Sequence, residues 1–393
     1  MARIVILGSY GESLLQFRGS LIRRLLAEGH EVIGAAPAGD LSVRDTLESW
    51  GARYKCVPMD RTGINPGRDL QTLYRLHRLF VREKPDIFLG YTIKPVVYGL
   101  LAAWLADVPS RYAMITGLGT AFMEVDSLRQ LLLQSLASAL YSFSLRTSEK
   151  VIFQNPDDAY LFCVRRLVGG PEEVALVNGS GVDLEEFRPA PFPKKLTFLL
   201  TARLLRDKGI YEYMAAARQV KRRHEGIRFL LVGYRDESPR AVPQEDLEQW
   251  IKEGVVEYLG RQEDVRPALK ECSVFVLPSY REGTPRTVLE AMAMGRPIIT
   301  TDVPGCRQTV ERDRNGFLVP PKDVQGLARA MTHFIGEEEM IRNMGAESRL
   351  MAAERFDVHK VNETLLDVLE LRKAPRRVEP PPIPDVARRA GRQ

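Results

Sequence analysis

Cysteine is scarce: four in 393 residues, at 56, 163, 272 and 306, with no CxxC pair. That excludes a disulfide scaffold and a thiolate zinc site, and makes a reducing compartment the default. Long apolar runs are also missing. The N-terminus passes from Ile4-Val5-Ile6-Leu7 to Gly8 after four apolar residues, too few for a signal peptide or a membrane span. There is no P-loop GxxxxGK(S/T), and no strand runs into GxGxxG, so neither a P-loop ATPase nor a standard dinucleotide site is supported. Asp-x-Asp, the carboxylate pair that commonly holds a metal-bound nucleotide sugar, does not occur. The five histidines (30, 77, 224, 333, 359) fall mostly on predicted helices or near strand starts and make no Ser, His and acid constellation. The expectation is therefore an enzyme or binding protein with no metal and no cofactor. Any diphosphate it handles must be met by side chains and backbone amides.

What is present is the composition of a soluble globular protein, 45% hydrophobic and 27% charged, with a length that suggests two domains. The formal excess of +5 lies in one place. Residues 372–393 hold seven basic and two acidic residues among five prolines, which balances residues 1–371 to neutrality and makes this tail read as disordered. A nucleic-acid-binding body is not indicated; a non-catalytic nucleic-acid binder would have to work through the tail.

Short apolar runs alternate with amphipathic stretches, the pattern of parallel sheets with crossover helices. Strands are predicted at 4–7, 31–35, 53–57, 86–89, 112–115, 151–153 and 175–177. Helices are predicted near 17–28, 43–50, 69–83, 95–106, 127–147 and 156–166. A second series of strands runs through 196–201, 229–232, 255–258, 274–277 and 297–300. Between the series, Arg188-Pro189-Ala190-Pro191-Phe192-Pro193 cannot continue a helix or a central strand. The predicted organisation is an α/β protein of two Rossmann-like, doubly wound domains facing across a cleft. It comprises an N-terminal domain at 1–188, a linker at 189–195, a C-terminal domain at 196–356, a returning helix at 357–371 and the tail at 372–393. In such folds ligands bind beyond the C-terminal ends of the strands.

Chemistry concentrates in the second half. The strand at 196–201 runs into Ala202-Arg203-Leu204-Leu205-Arg206-Asp207-Lys208-Gly209. Arg203 offers a planar fork and Lys208 a point charge, a pair suited to two adjacent phosphates. After the strand at 274–277 comes Tyr280-Arg281-Glu282-Gly283-Thr284-Pro285-Arg286-Thr287-Val288-Leu289-Glu290. Here Thr284 is the expected N-cap and Pro285 the first helical residue, leaving the Thr287 and Val288 amides free to meet a phosphate. Glu282 lies before the helix and Glu290 roughly two turns into it; such carboxylates accept paired hydrogen bonds from vicinal diols, so one suits a sugar and the other a ribose.

Glu282 and Glu290 with seven residues between, Pro285, and the upstream Arg203 and Lys208 resemble the retaining glycosyltransferases of family 4, which have the two-domain GT-B fold. The resemblance implies that Arg203 and Lys208 bind the donor diphosphate, Glu282 contacts the transferred sugar and Glu290 the ribose. Gly283, Thr284, Thr287 and Val288 complete that donor site, and Gly233 and Arg261 match the nucleotide-base region. Phe17-Arg18-Gly19, Leu118-Gly119-Thr120-Ala121-Phe122 and Gly233-Tyr234-Arg235-Asp236-Glu237-Ser238-Pro239 look like the members that act on undecaprenyl-diphosphate sugars. These imply a UDP-sugar donor, often an N-acetylhexosamine, a polyprenyl-diphosphate-linked saccharide as acceptor, and Arg18, Lys94 and Thr116 as acceptor-side residues. One departure is visible: the loop Gly90-Tyr91-Thr92-Ile93-Lys94-Pro95 lacks the histidine many members carry there. A nucleotide-sugar epimerase would share the architecture.

A lipid-linked acceptor calls for a membrane-facing surface. Residues 53–94 hold nine basic and four acidic residues, and 128–145 is an apolar helix too rich in Gln and Ser to span a bilayer. The expectation is a cytoplasmic protein, peripherally attached to the cytoplasmic face of the inner membrane through contact with anionic lipid.

Overall fold

The computed structural model describes residues 1–38, 41–60, 65–117, 138–235, 238 and 240–371. The tail at 372–393, the first part of the predicted 127–147 helix and the motif at 118–122 lie outside the described residues.

The first half builds a seven-stranded parallel sheet of order β3-β2-β1-β4-β5-β6-β7. Its strands are β1 (Arg3–Leu7), β2 (Glu31–Ala36), β3 (Arg53–Cys56), β4 (Ile87–Tyr91), β5 (Ser110–Ile115), β6 (Lys150–Phe153) and β7 (Val174–Leu176). The crossovers include α1 (Glu12–Ala27), α2 (Leu41–Ser49), α3 (Pro66–Glu83), α4 (Ile93–Leu105) and α5 (Pro156–Val164). Residues 138–145 are also helical. The inner strands β1, β2 and β4 read as near-continuous apolar runs because both faces of the sheet are covered. Val5, Leu7, Phe88 and Ala113 pack with Leu76 and Phe80 of α3 and Val96 and Leu100 of α4. Ile4, Ile6, Leu89 and Tyr112 pack on the opposite face with Leu14, Leu21 and Ile22 of α1. Each such side chain, fully buried, contributes about 1.5–3 kcal/mol.

The second half builds a six-stranded parallel sheet of order β10-β9-β8-β11-β12-β13. Its strands are β8 (Thr197–Thr201), β9 (Arg228–Val232), β10 (Glu257–Tyr258), β11 (Val274–Leu277), β12 (Ile298–Thr301) and β13 (Gly316–Val319). Its longer helices are α6 (Ile210–Lys221), α7 (Gln244–Lys252), α8 (Arg266–Lys270), α9 (Arg286–Ala293), α10 (Val324–Thr332) and α11 (Glu338–Arg355). β13 was not among the expected strands. Its apolar run is only Phe317-Leu318-Val319, and a sequence reading has no sign that β12 offers it an edge to pair with. In both sheets the strand order reverses beside the first strand, between β1 and β4 and between β8 and β11, and the loops leaving those strands form the ligand-facing edge.

The linker and the last helix help tie the halves together. The chain between β7 and β8 is held by Arg296, whose buried guanidinium donates to the carbonyls of Leu269 and Pro191 and lies 4.6 Å over the Phe192 ring. The last helix, α12 (Val358–Val368), returns to the first half, burying Leu365, Leu366 and Leu369 against the α1 side of that core. Asn362 Nδ2 donates to Ser20 Oγ on α1 at 2.9 Å.

The basic stretch at 53–94 is less exposed as charge than its count suggests. Arg53 pairs with Glu31 and Glu83, Lys55 and Arg82 also reach Glu83, Arg68 pairs with Asp60, and Lys94 with Asp69. Glu83 is buried, which pushes its carboxyl up, but hydrogen bonds from Arg82 and Arg53 outweigh that and hold it down to about 2. A carboxylate with a depressed folded pKa stabilises fully above its ordinary 4.5 and loses that contribution as pH falls towards 2. Glu83→Gln is therefore expected to lower stability by on the order of 2 kcal/mol at pH 7 and to flatten the acid limb between pH 5 and 3. Urea unfolding at both pH values measures this, and parallel pH slopes for the two proteins would contradict it.

Candidate active site

The site is built on the loop from β11 to α9. Lys208 Nζ lies 2.5 Å from Glu282 Oε1, with both side chains largely out of solvent. Ser279 Oγ approaches the same carboxylate oxygen at 2.8 Å. The Asp207 carbonyl accepts from the Tyr280 amide at 2.9 Å, so the loops after β8 and β11 are joined by backbone as well as by the ion pair. Gly209, with φ of +71°, makes this approach possible, because a Cβ there would lie 2.1 Å from the Pro278 carbonyl oxygen. Arg203, in the same loop, is half-buried.

α9 begins differently from expectation. Pro285 takes the cap position, and the Thr284 hydroxyl donates to the carbonyl of Gln154 in the other half, at 2.8 Å. The Val288 amide, expected to be free, donates to the Pro285 carbonyl at 3.1 Å, while Thr287 lies half-buried in the first turn. Glu290 is buried and pairs with Arg286 at 2.7 Å. Burial pushes its carboxyl up and Arg286 opposes the shift. At the end of β9, Gly233 leaves no room for a side chain, since a Cβ would sit 1.9 Å from the Ala202 carbonyl oxygen. Arg261 is exposed and stacks 5.2 Å over the Tyr234 ring.

Two of the three acceptor-side candidates, Arg18 and Thr116, are linked: Ser180 Oγ accepts from Arg18 and from Gln154 Nε2 at 3.2 Å, and the Gln154 side-chain oxygen and the Thr116 carbonyl both face Gly283. The Thr116 carbonyl oxygen lies against Gly283, where a Cβ would come within 2.3 Å of it. Arg18 is wholly buried, its guanidinium over Tyr91, near Met114 Sδ at 2.7 Å and Ser180 Oγ at 3.3 Å; burial lowers its pKa to about 10. Lys94 is turned to Asp69 on α3 at 2.7 Å. Thr92, in the loop that lacks the histidine, has φ of +70°, a strained conformation for a β-branched residue. Among the described residues no three His, Cys, Asp or Glu side chains gather to hold a metal.

Sequence reasoning missed the loop after β6. Asn155 caps α5, accepting from the Asp158 amide at 2.8 Å, with Pro156 next and two acids in the first turn. From there Asn155 Nδ2 donates to the Gly283 carbonyl at 2.7 Å, Asp158 pairs with Arg281, and Asp157 meets Arg307 at 2.8 Å and Gln308 at 2.7 Å. Arg286 also reaches the Gln16 carbonyl on α1. The Asn-Pro-Asp-Asp run was a legible helix start, but nothing in it announced a partner in the other half.

Two parallel-sheet domains meeting along the C-terminal edges of their strands define the GT-B fold. The same fold is seen in sucrose-phosphate synthase from Thermosynechococcus elongatus, with a TM-score of 0.77, 18% identity and coverage of 94% of this chain and 99% of that one. It is seen again in Anabaena HepE in complex with UDP-glucose, with a TM-score of 0.75, 20% identity and coverage of 95% and 100%. Residues 16–179 match the glycosyl transferase 4-like domain and residues 195–337 the glycosyl transferases group 1 domain. The chain belongs to glycosyltransferase family 4. It is 27% identical, over 94% of its length and 98% of the relative's, to the N,N'-diacetylbacillosaminyl-diphospho-undecaprenol alpha-1,3-N-acetylgalactosaminyltransferase of Campylobacter jejuni. It is 25% identical, over 79% and 82%, to the UDP-Gal:alpha-D-GlcNAc-diphosphoundecaprenol alpha-1,3-galactosyltransferase of Escherichia coli. A glycosyltransferase is thus supported over an epimerase or a nucleic-acid binder.

The Gly283 contact generates a prediction. Gly283→Ala places a methyl group against the Thr116 carbonyl, an overpacking worth about 1–3 kcal/mol that is relieved most easily by separating the domains. Small-angle scattering should show a larger radius of gyration for the variant, and sugar transfer should fall; unchanged values for both would show that the loop absorbs the methyl group.

Proposed function

We propose that the chain transfers a hexose, of the N-acetylhexosamine type, from a UDP donor to a polyprenyl-diphosphate-linked saccharide, with retention at the anomeric carbon. The observation that carries this reading is the Lys208–Glu282 pair at the ligand-facing edge of the second sheet, 2.5 Å apart and braced by Ser279. The two relatives' names supply the substrate class.

In this reading Arg203 and Lys208 take the donor diphosphate. An arriving diphosphate competes with Glu282 for the Lys208 ammonium, and the carboxylate so released accepts from the sugar hydroxyls. Glu290, buried and paired with Arg286, holds the ribose, with Gly233 and Arg261 beside the base and Gly283, Thr284, Thr287 and Val288 lining the path between. The acceptor hydroxyl attacks the anomeric carbon on the face that UDP leaves. The bond to the phosphate oxygen breaks as the new glycosidic bond forms, and that oxygen takes the hydroxyl proton. The protein supplies orientation and stabilises charge growing on the diphosphate. Removing one such group costs on the order of 10²–10³ in kcat, so Lys208→Ala should lose about that much while Glu282→Ala still binds UDP and fails in transfer. Turnover of Lys208→Ala within about threefold of wild type sinks the assignment of Lys208. A panel of UDP-sugars against short-chain polyprenyl-diphosphate sugars, read by mass spectrometry, tests the substrate class.

The acceptor's lipid brings the protein to an anionic membrane surface, at the cytoplasmic face in this reading. On the α3–α4 side of the first domain, Leu70, Tyr74 and Val81 of α3 and Trp104 and Leu105 of α4 are exposed, and Trp104 meets Phe143 edge-on at 6.3 Å. Arg75, Arg78, Arg82 and Lys84 are exposed beside them. Among the described residues no helix is long and apolar enough to cross a membrane. Each basic group near an anionic leaflet contributes about 1 kcal/mol, so replacing Arg75 and Arg78 by Glu should abolish co-sedimentation with phosphatidylglycerol vesicles without changing the melting temperature. Full retention of vesicle binding would exclude this face.

A further inference from the structure

We infer that the N-terminal domain positions the sugar-facing loop of the C-terminal domain, with Asn155 as the positioning residue for transfer. The inference rests on the reading above that Glu282 faces the transferred sugar.

Residues 278–285 form no regular structure, so the Glu282 backbone is fixed by isolated contacts, its own N–H donating to the Pro304 carbonyl at 3.1 Å within its domain. Its side chain is held from within its own domain by Lys208 and Ser279. Its neighbours are held from the other one. Arg281 is paired with Asp158, the Gly283 carbonyl accepts from Asn155, and the Thr284 hydroxyl donates to the Gln154 carbonyl. All three anchors come from the end of β6 and the start of α5, and they bracket Glu282 on both sides. Asn155 itself is 2% exposed and fully committed. Its Oδ1 caps α5 at 2.8 Å, and its amide nitrogen reaches the Gly283 carbonyl at 2.7 Å and Asp158 Oδ2 at 3.0 Å. A side chain locked at both ends transmits the position of α5 to the loop with little slack. Misplacing a reacting group by about 1 Å can cost 10²-fold in rate, so this linkage bears on transfer, whereas holding UDP depends on groups of the second domain alone.

The cap and the cross-domain hydrogen bond can be separated. Asn155→Ser keeps an oxygen suited to capping α5 and removes the side-chain N–H that reaches the Gly283 carbonyl. Using the UDP-sugar and polyprenyl-diphosphate acceptor that wild type turns over best, the expected result is a fall in kcat of about 10–100-fold, a UDP Kd within threefold of wild type and an unchanged melting temperature. Asp157→Asn serves as the comparison, since it weakens contacts across the same interface to Arg307 and Gln308 without touching residues 281–284; its kcat should stay within about threefold. Wild-type kcat in Asn155→Ser, alongside collapse in Glu282→Ala, overturns the inference and leaves the reading of Glu282 intact. An equal loss in Asn155→Ser and Asp157→Asn, or a parallel fall in UDP affinity and melting temperature, also overturns it by reducing Asn155 to general interface packing. Unchanged transfer in Glu282→Ala, or no turnover by wild type on any pair, instead removes the reading on which the inference rests.

Discussion

The approach of Gly283 to the Thr116 carbonyl is the constraint around which the two domains are arranged. A Cβ at 283 would lie 2.3 Å from that oxygen, so two backbones belonging to different sheets meet with no side chain between them. Close contact there makes the other cross-domain bonds short enough to form, since Asn155, Gln154 and Asp158 are small side chains or backbone groups with little reach. It also places the loop bearing Glu282 at the seam. A site assembled at such a seam has geometry that depends on domain position, which is the general reason enzymes of this architecture can couple substrate capture to closure.

Charge is used in two opposite ways within this frame. Arg18 and Arg296 are buried without a carboxylate and are met by carbonyls, a hydroxyl, sulfur and aromatic faces, so their charge is held by dipoles and serves packing. Lys208 and Glu290, by contrast, each have one ionic partner, Glu282 and Arg286. A single ion pair in a partly buried place is readily exchanged for another anion or hydroxyl donor. A cation surrounded by fixed dipoles is not, and this distinction separates Lys208 from Arg18 more clearly than their sequence contexts did.

Much of the fold was legible because parallel strands covered on both faces must be apolar along their length, and helix starts such as Asn65-Pro66 and Asn155-Pro156 carry cap and proline signals of ordinary kind. The Glu282–Glu290 spacing and the Arg203–Lys208 loop were legible for a similar reason: they are local. What failed were inferences about which side chain a residue would meet across the sequence, although the returning helix at 357–371 was anticipated. Thr284 has the right chemistry for an N-cap, yet its hydroxyl is taken by Gln154, 130 residues earlier. The basic count at 53–94 overlooked Glu31, which lies beyond that window, and the convergence of three cations on the single carboxylate of Glu83. Lys94 seemed available for a phosphate until α3 brought Asp69 to it.

The neutral body and the local cations bear on how the proposed donor and lipid acceptor would be brought together. A strongly basic domain would be drawn to an anionic leaflet in many orientations, because a net charge attracts without regard to which face arrives first. Here Arg53, Lys55, Arg82 and Lys94 pair with carboxylates of the domain, whereas Arg75 and Arg78 lie on the outer face of α3, next to its exposed Leu70, Tyr74 and Val81. In the proposed reading, attraction at this surface coincides with apolar side chains that can follow it into the interface. In the proposed reading, because α3 and α4 cover one face of the first sheet while the loops carrying Lys208 and Glu282 meet that sheet's C-terminal edge, docking through α3 would set the seam beside the bilayer.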